Sequence, residues 1–482
     1  MPFESANLPT NLFIGGEWIE GSAGDRIDVL NPSDNAKLAD VADATIEDGI
    51  AAVNAADAAA GAWKNTTARA RSDILRRCYD LMLRDAESLA RLISLENGKA
   101  LIDARGEVSY AAEFFRWYAE EAVRNIGEIS TAPVTGARIV VQNQPVGIAL
   151  LVTPWNFPAA MATRKIGPAL AAGCTCILKP ATETPLTAYA VAALLEEAGV
   201  PKGVVNVITT TQTSKVVSAI MDDARVRKIS FTGSTAVGRI LLKKAAETVM
   251  KSSMELGGNA PFVVFDDADI DKALDGVMIA KMRNGGEACT AANRIYVQKG
   301  VHDEFAKRLT ERMAALTVDD GVLESTQCGP LINADAVERV NGLVEDSVKR
   351  GAKVLTGGKP LERDGCFFPP TVLSNVSADA EMMNDEIFGP IVPIVSFDTE
   401  AEGIAAANDT EYGLVAYVYT KDLSRGMRVS EAIEAGMIAL NRGLVSDPAA
   451  PFGGVKQSGL GREGAHHGML EYMEQKYISV EW

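Results

Sequence analysis

Cysteine 289 stands in a stretch suited to presenting a nucleophile. The segment Arg283-Asn284-Gly285-Gly286-Glu287-Ala288-Cys289-Thr290 follows a helical pattern over 269–281 and precedes a strand-like run over 294–297. Its paired glycines permit positive φ and close backbone approach, so the thiol can face a ligand. A free thiol titrates near ~8.5 and is strongly nucleophilic even when only a few per cent is ionised. Alone, such a cysteine is more often a small buried hydrophobe, but other stretches keep it company. Asn156 lies in Pro154-Trp155-Asn156-Phe157-Pro158, where prolines and aromatics hold an amide rigidly. Glu255 opens Glu255-Leu256-Gly257-Gly258, a carboxylate against flexible backbone. Lys179-Pro180 offers a cation at a strand end, and Gly233-x4-Gly238 follows a strand and opens a helix, where N-terminal amides favour anions. Taken singly, each is equally a turn or a cap.

These residues must be positioned by the surrounding elements. From 147 onward the chain alternates: strands over 147–152, 174–178, 204–208 and 226–231, helices over 159–172, 185–198, 214–221 and 234–249. Strand and helix at this spacing predict a mostly parallel sheet covered on both faces, with ligands at the carboxyl ends of its strands. The chemistry-bearing residues 154–158, 179–182 and 232–238 fall at those ends. A second αβ pattern starts after 254. Before the sheet, short strands over 12–32 precede a helix capped by Thr45. A further helical pattern from Ile74 should stop near Gly98, and a third apolar stripe contains Ala104, Val108, Ala111, Phe115, Tyr118 and Ala122. Residues 129–146 read as an extended excursion, with the extended run 476–480 as a partner that would protect its edge.

The totals exclude more than they assign. With 482 residues, more than one domain is expected, and a net charge of -17 argues against nucleic acid or an anionic membrane as partner. An anionic small substrate would need a local arginine or lysine cluster. Six scattered cysteines imply no disulfide framework, and three histidines make a zinc site an unpromising reading, so no metal is expected. The acidic start, Met1 to Leu8, is no secretory leader, and no apolar run is long enough to span a membrane. A cytoplasmic protein is expected.

Five ordered motifs carry a family resemblance: Phe231-Thr-Gly-Ser-Thr235, Glu255-Leu-Gly-Gly258, the loop ending in Cys289, Glu386-Ile-Phe-Gly-Pro390 and Pro451-Phe-Gly-Gly454. Together they resemble the aldehyde dehydrogenase superfamily over almost the whole chain. Within it the chain is most similar to the succinate-semialdehyde dehydrogenases, through 153–158, Thr163-Arg-Lys165, 167–173, Arg283-Asn284 and 455–464. The resemblance implies an α/β fold with residues 1–128 and 147–253 as a Rossmann-type cofactor-binding domain and 254–435 as a catalytic domain. It assigns 129–146 with 468–482 to an oligomerisation segment, and 436–467 to a return carrying a pocket loop. A homo-oligomer, dimer or tetramer, follows.

It further implies that Cys289 attacks an aldehyde, that Asn156 and the Cys289 backbone N–H stabilise the oxyanion, and that Glu255 activates water. The cofactor would lie on Trp155, Asn156, Lys179, Pro180, Ala181, Thr182, Gly233, Ser234, Leu256, Glu386 and Phe388. Thr182 stands where NAD-specific relatives often carry Glu, so NADP is expected ahead of NAD. Glu183 tempers this, because a small backbone shift would bring in its charge. Arg164, Arg283 and Ser446 match the positions that hold a substrate carboxylate, so an acid semialdehyde is the expected substrate. Succinate semialdehyde leads; glutarate semialdehyde, a broader aldehyde range, transfer of the acyl group to coenzyme A and a non-catalytic binding role stand as alternatives. Three departures stand out: Thr209-Thr210-Thr211 replaces the usual glycine, Ala291 replaces a second cysteine, and Arg442 stands near the expected pocket loop.

Overall fold

The computed structural model describes residues 8–481, in which the alternation after 147 resolves into two large sheets. The reading of the extreme N-terminus as leaderless falls almost wholly outside those residues. The first sheet has eight strands in the order Glu17–Ile19, Leu12–Ile14, Val205–Val207, Cys176–Lys179, Ile148–Val152, Val226–Thr232, Lys251–Glu255 and Gly459–Leu460. The five from Val205–Val207 to Lys251–Glu255 run parallel, and antiparallel pairs continue the sheet on either side. Parallel strands covered on both faces are apolar throughout, and Ile148–Val152 is buried at every position.

The helices follow from local signals. Helix α1 (Ile46–Asn65) begins with the expected Thr45 cap, closed into a capping box by Asp48. The pattern from Ile74 to Gly98 divides into α2 (Ala68–Arg84) and α3 (Ala86–Asn97), broken at Asp85, whose φ of -102 and ψ of 17 leave helical geometry. The Asp85 carboxylate makes no capping hydrogen bond and accepts from Arg84 instead. Gly98 ends α3 with φ 86, as its position suggested. On α4 (Leu101–Ala122) the six stripe residues are each no more than 1% exposed. Helices α5 (Pro158–Ala172), α6 (Pro185–Glu197), α7 (Thr213–Asp222) and α8 (Thr235–Ala246) form the expected crossovers.

The second sheet orders its seven strands as Lys353–Thr356, Thr371–Ser374, Ile391–Phe397, Ala292–Gln298, Ala260–Val264, Val415–Tyr419 and Met437–Leu440. Helix α9 (Ile270–Met282) leads out of it toward Cys289. Met437–Leu440 pairs in parallel with Val415–Tyr419, so the second sheet continues past 435, the point where the chain was expected to leave it. The chain rejoins the first sheet only at Gly459–Leu460.

The excursion is a hairpin of Glu128–Thr131 and Arg138–Pro145. Its inner strand pairs along its length with Met473–Val480, from Pro145↔Met473 to Arg138↔Val480. The tail therefore covers the edge it was expected to cover. Among the described residues no helix is long and apolar enough to cross a membrane, and no group of three or more His, Cys, Asp or Glu side chains is placed to hold a metal. All six cysteines are free.

Candidate active site

Only Leu256-Gly257-Gly258-Asn259 separates the last parallel strand of the first sheet from Ala260–Val264 of the second. The nucleophile loop packs directly on this link: a Cβ at Gly258 would lie 2.6 Å from the Cys289 carbonyl oxygen. A cleft of about 270 Å³ opens here, and Cys289, half-buried, lines it.

The loop reaches this position through left-handed backbone. Asn284 (φ 53) and Gly285 (φ 57) turn the chain after α9, a conformation asparagine and glycine adopt at least cost. At Gly286 a Cβ would sit 2.3 Å from the Gly389 carbonyl oxygen, so the glycine is required by close approach. Asn284 then acts as a brace. Its side-chain amide donates to the backbone carbonyls of Asn156 (2.9 Å) and Glu287 (3.1 Å), while Asp103 accepts its backbone N–H at 2.8 Å.

Asn156 is fixed by the same partners. Its Nδ2 donates to the Glu287 carbonyl at 3.1 Å, which leaves the second N–H of the amide for a ligand. Lys99 donates to the Asn156 carbonyl (2.7 Å) and to Glu107 (2.5 Å), and Glu107 in turn accepts the Ala159 and Ala160 N–H groups at the start of α5. Asn156 and Cys289 share the cleft.

The Cys289 thiol is pushed up to about 12, first by burial and then by Glu386 and Glu255, against the pull of Arg164 and Arg283. It is therefore a thiol, not a thiolate, in this arrangement. Glu255, the expected base, is not free at the cleft surface. Its carboxyl is buried, both oxygens lack partners, and it stands behind the cleft wall rather than lining it, against Gly453. Burial, reinforced by Glu463, pushes its pKa well above the usual carboxylate range. Burial also opposes the charge of Glu463, but Lys165 at 2.6 Å and Arg164 at 3.5 Å outweigh it and hold that group ionised. Two acids this close cannot both ionise cheaply in a buried site, and Glu463 holds the charge.

Arg164, Arg283 and Ser446 all line the cleft. Arg164, 2% exposed, donates to the Tyr110 hydroxyl at 2.5 Å and packs its guanidinium over Phe452 at 4.2 Å. Part of its charge is thus answered by Glu463 within the fold. Arg283 stacks over Phe157 at 4.9 Å and makes no ion pair among the described residues. Sequence reasoning missed Tyr110, Phe452, Lys165 and Glu463. Phe452, Lys165 and Glu463 sit in motifs singled out beforehand but were given no role there, and Tyr110 sits in none.

Trp155, Gly233, Ser234, Leu256, Glu386 and Phe388 also line the cleft. Lys179, Pro180, Ala181 and Thr182 stand outside it, after the neighbouring parallel strand. The set suits a nicotinamide dinucleotide on three structural grounds. The Thr232 hydroxyl is buried without a partner, and Ser234 caps the amide-rich start of α8. Glu386, pushed up to about 7 by burial, has only the Gly258 N–H at 3.3 Å on one oxygen. Glu183 already stands beside Thr182, whose hydroxyl donates to it at 3.2 Å, and it counters the lowering of Lys179 by burial.

Thr209 and Thr210 are pinned to the carbonyls of Ala42 and Ala44 at 2.6 and 2.8 Å. Arg442 is exposed and outside the cleft lining, which removes it from the pocket.

Comparison with known proteins shows the family. Residues 18–478 match the model of the aldehyde dehydrogenase family. The chain belongs to that family and is an oxidoreductase. It is 48% identical to the NADP(+)-type succinate-semialdehyde dehydrogenase GabD of Escherichia coli K12, over 98% of both chains. It is also 48% identical, over 97% of both, to a glutarate-semialdehyde dehydrogenase of Pseudomonas putida. A crystal structure of an NADP-dependent enzyme from E. coli superposes with a TM-score of 0.98 at 48% identity, covering both chains completely.

Proposed function

We propose that the protein oxidises succinate semialdehyde to succinate with Cys289 as nucleophile. What carries the reading is the convergence of Cys289, Asn156, Arg164 and the unpaired Arg283 on one cleft in an acidic protein. The arginines, with Ser446, hold the distal carboxylate and leave the aldehyde carbon at the sulfur. Cys289 gives its thiol proton to solvent as its sulfur bonds to that carbon and the C=O π bond opens, and the developing oxyanion takes the free Asn156 N–H and the Cys289 backbone N–H; one such donor typically contributes about 2.7–4 kcal/mol. A nicotinamide cofactor, bound by Trp155, Lys179, Thr182, Gly233, Ser234 and Glu386, supplies the hydride acceptor. The resulting Cys289 thioester is hydrolysed by water deprotonated at Glu255, which must first ionise and turn toward the cleft.

Residues 8–128 with the parallel part of the first sheet form the cofactor-binding domain in this reading, and the second sheet is the catalytic domain. The hairpin and tail, with Ile129 and Tyr477 exposed, support pairing with another copy into a dimer or tetramer. The same receptor admits a chain one carbon longer, and the 48% identical glutarate-semialdehyde relative favours that second reading.

The test is a steady-state comparison of succinate semialdehyde, glutarate semialdehyde and butanal with each cofactor. The carboxylated aldehydes should exceed butanal in kcat/KM by about 10²-fold or more. Near-equal values would remove the carboxylate receptor.

NADP is the preferred cofactor in this reading, because Thr182 and Lys179 suit a 2′-phosphate, and NAD is also used, because Glu183 beside them opposes that phosphate. Glu183→Gln keeps an acceptor for Thr182 and removes the repulsion. The NADP:NAD ratio of kcat/KM should rise by about tenfold, measured by cofactor titration at saturating aldehyde. An unchanged ratio would take Glu183 out of the cofactor site.

A further inference from the structure

We infer that Tyr110 is a specificity-determining residue, its phenol completing the carboxylate end of the cleft. The inference rests on the proposed carboxylate receptor and extends it to a residue on a helix otherwise read as core.

Tyr110 lies on α4 but off its buried stripe, half-buried, and lines the cleft with Arg164. Its ring packs edge-on against Phe114, with centroids 4.9 Å apart at 65°. Its oxygen accepts Nη2 of Arg164 at 2.5 Å. A phenol that accepts one hydrogen bond still has its own hydrogen to give, and among the described residues no acceptor takes it.

The consequence for Arg164 is orientation. Tyr110 holds Nη2, Glu463 stands 3.5 Å from Nη1, and Phe452 covers the face at 4.2 Å. The third nitrogen, Nε, is buried and has no partner for its N–H. Nε–H of Arg164 and O–H of Tyr110 are thus two unspent donors, on adjoining residues, in a cleft that Arg283 also lines. A carboxylate satisfies both; a methyl group satisfies neither and leaves them desolvated. Tyr110 therefore acts twice, by aiming Arg164 and by donating to the substrate.

Tyr110→Phe removes only the hydroxyl and keeps the packing on Phe114. The KM for succinate semialdehyde should rise about tenfold while kcat stays within about twofold, because the lost bond holds the substrate and its transition state equally. The inhibition constant of succinate should rise by a similar factor, and kcat/KM for butanal should not change. An equal fall for both aldehydes would reduce Tyr110 to a structural residue, and no change for either would overturn the inference. A wild-type enzyme indifferent to the carboxylate would instead sink the receptor, and Tyr110 with it. A discriminating wild type matched by an equally discriminating variant overturns Tyr110 alone.

Discussion

Glu255→Gln should lower kcat by about 10²–10⁴-fold, the usual worth of a positioned general base, while one equivalent of reduced cofactor still forms rapidly. The glutamine keeps the size of the side chain but cannot take a proton from water, so turnover stops after the thioester. The pH profile should change with it. The buried Glu255 carboxyl is held neutral by burial and by Glu463, and a neutral acid is no base. Wild-type kcat should therefore climb as pH rises and Glu255 ionises, and the variant should lose that limb. Stopped-flow absorbance of the reduced cofactor separates burst from turnover in one trace. If burst and steady rate fell together, Glu255 would be acting before the thioester and not on its hydrolysis.

The second large effect concerns Arg283. It lines the cleft without an ion pair among the described residues, as does Arg339, which donates to the Glu386 carbonyl, whereas Arg164 is partly answered by Glu463 and Tyr110. Arg283→Leu should cost the carboxylated substrate about 3–4 kcal/mol, roughly 10²–10³-fold in kcat/KM, from two charge-assisted hydrogen bonds. Butanal should be affected little, since it makes no use of the fork. The difference between the two substrates is the diagnostic quantity, because a distorted nucleophile loop would depress both. Arg283 adjoins that loop, so Arg283→Lys serves as the companion: it keeps the charge but not the fork and should recover only part of the loss.

Much of this site could be read from local signals. Cys289 announces itself through the glycines before it, and the structure explains both: Gly285 has positive φ and Gly286 meets a carbonyl where a Cβ has no room. The parallel strands were legible because both of their faces are buried and their sequence is uniformly apolar. The pairing of 473–480 with the hairpin followed from two extended runs that each needed an edge partner. The sequence reading passed over the region between 317 and 377. The helix Ala334–Lys349 there carries Val340, Leu343 and Val344 at helical spacing, but loops interrupt any strand–helix alternation around it.

What stayed hidden depends on contacts between distant residues. Nothing about position 463 says that its carboxylate will meet Lys165 and Arg164, nearly three hundred residues earlier, and thereby keep Glu255 neutral. Tyr110 breaks no pattern on α4, so its role is visible only once Arg164 is beside it. Glu255 itself was recognised by type, but its place behind the cleft wall is a side-chain orientation that composition and spacing do not encode. The break at Asp85 was hidden by a stripe that continues in phase across it.

The most direct measurement is the mass of the Glu255→Gln enzyme after mixing with succinate semialdehyde and NADP, followed by peptide mapping. The expected result is one succinyl group per chain, on the peptide containing Cys289, absent from wild type after the same interval and absent from Cys289→Ala. An unmodified protein, or an acyl group carried on a different residue, would contradict Cys289 as the nucleophile.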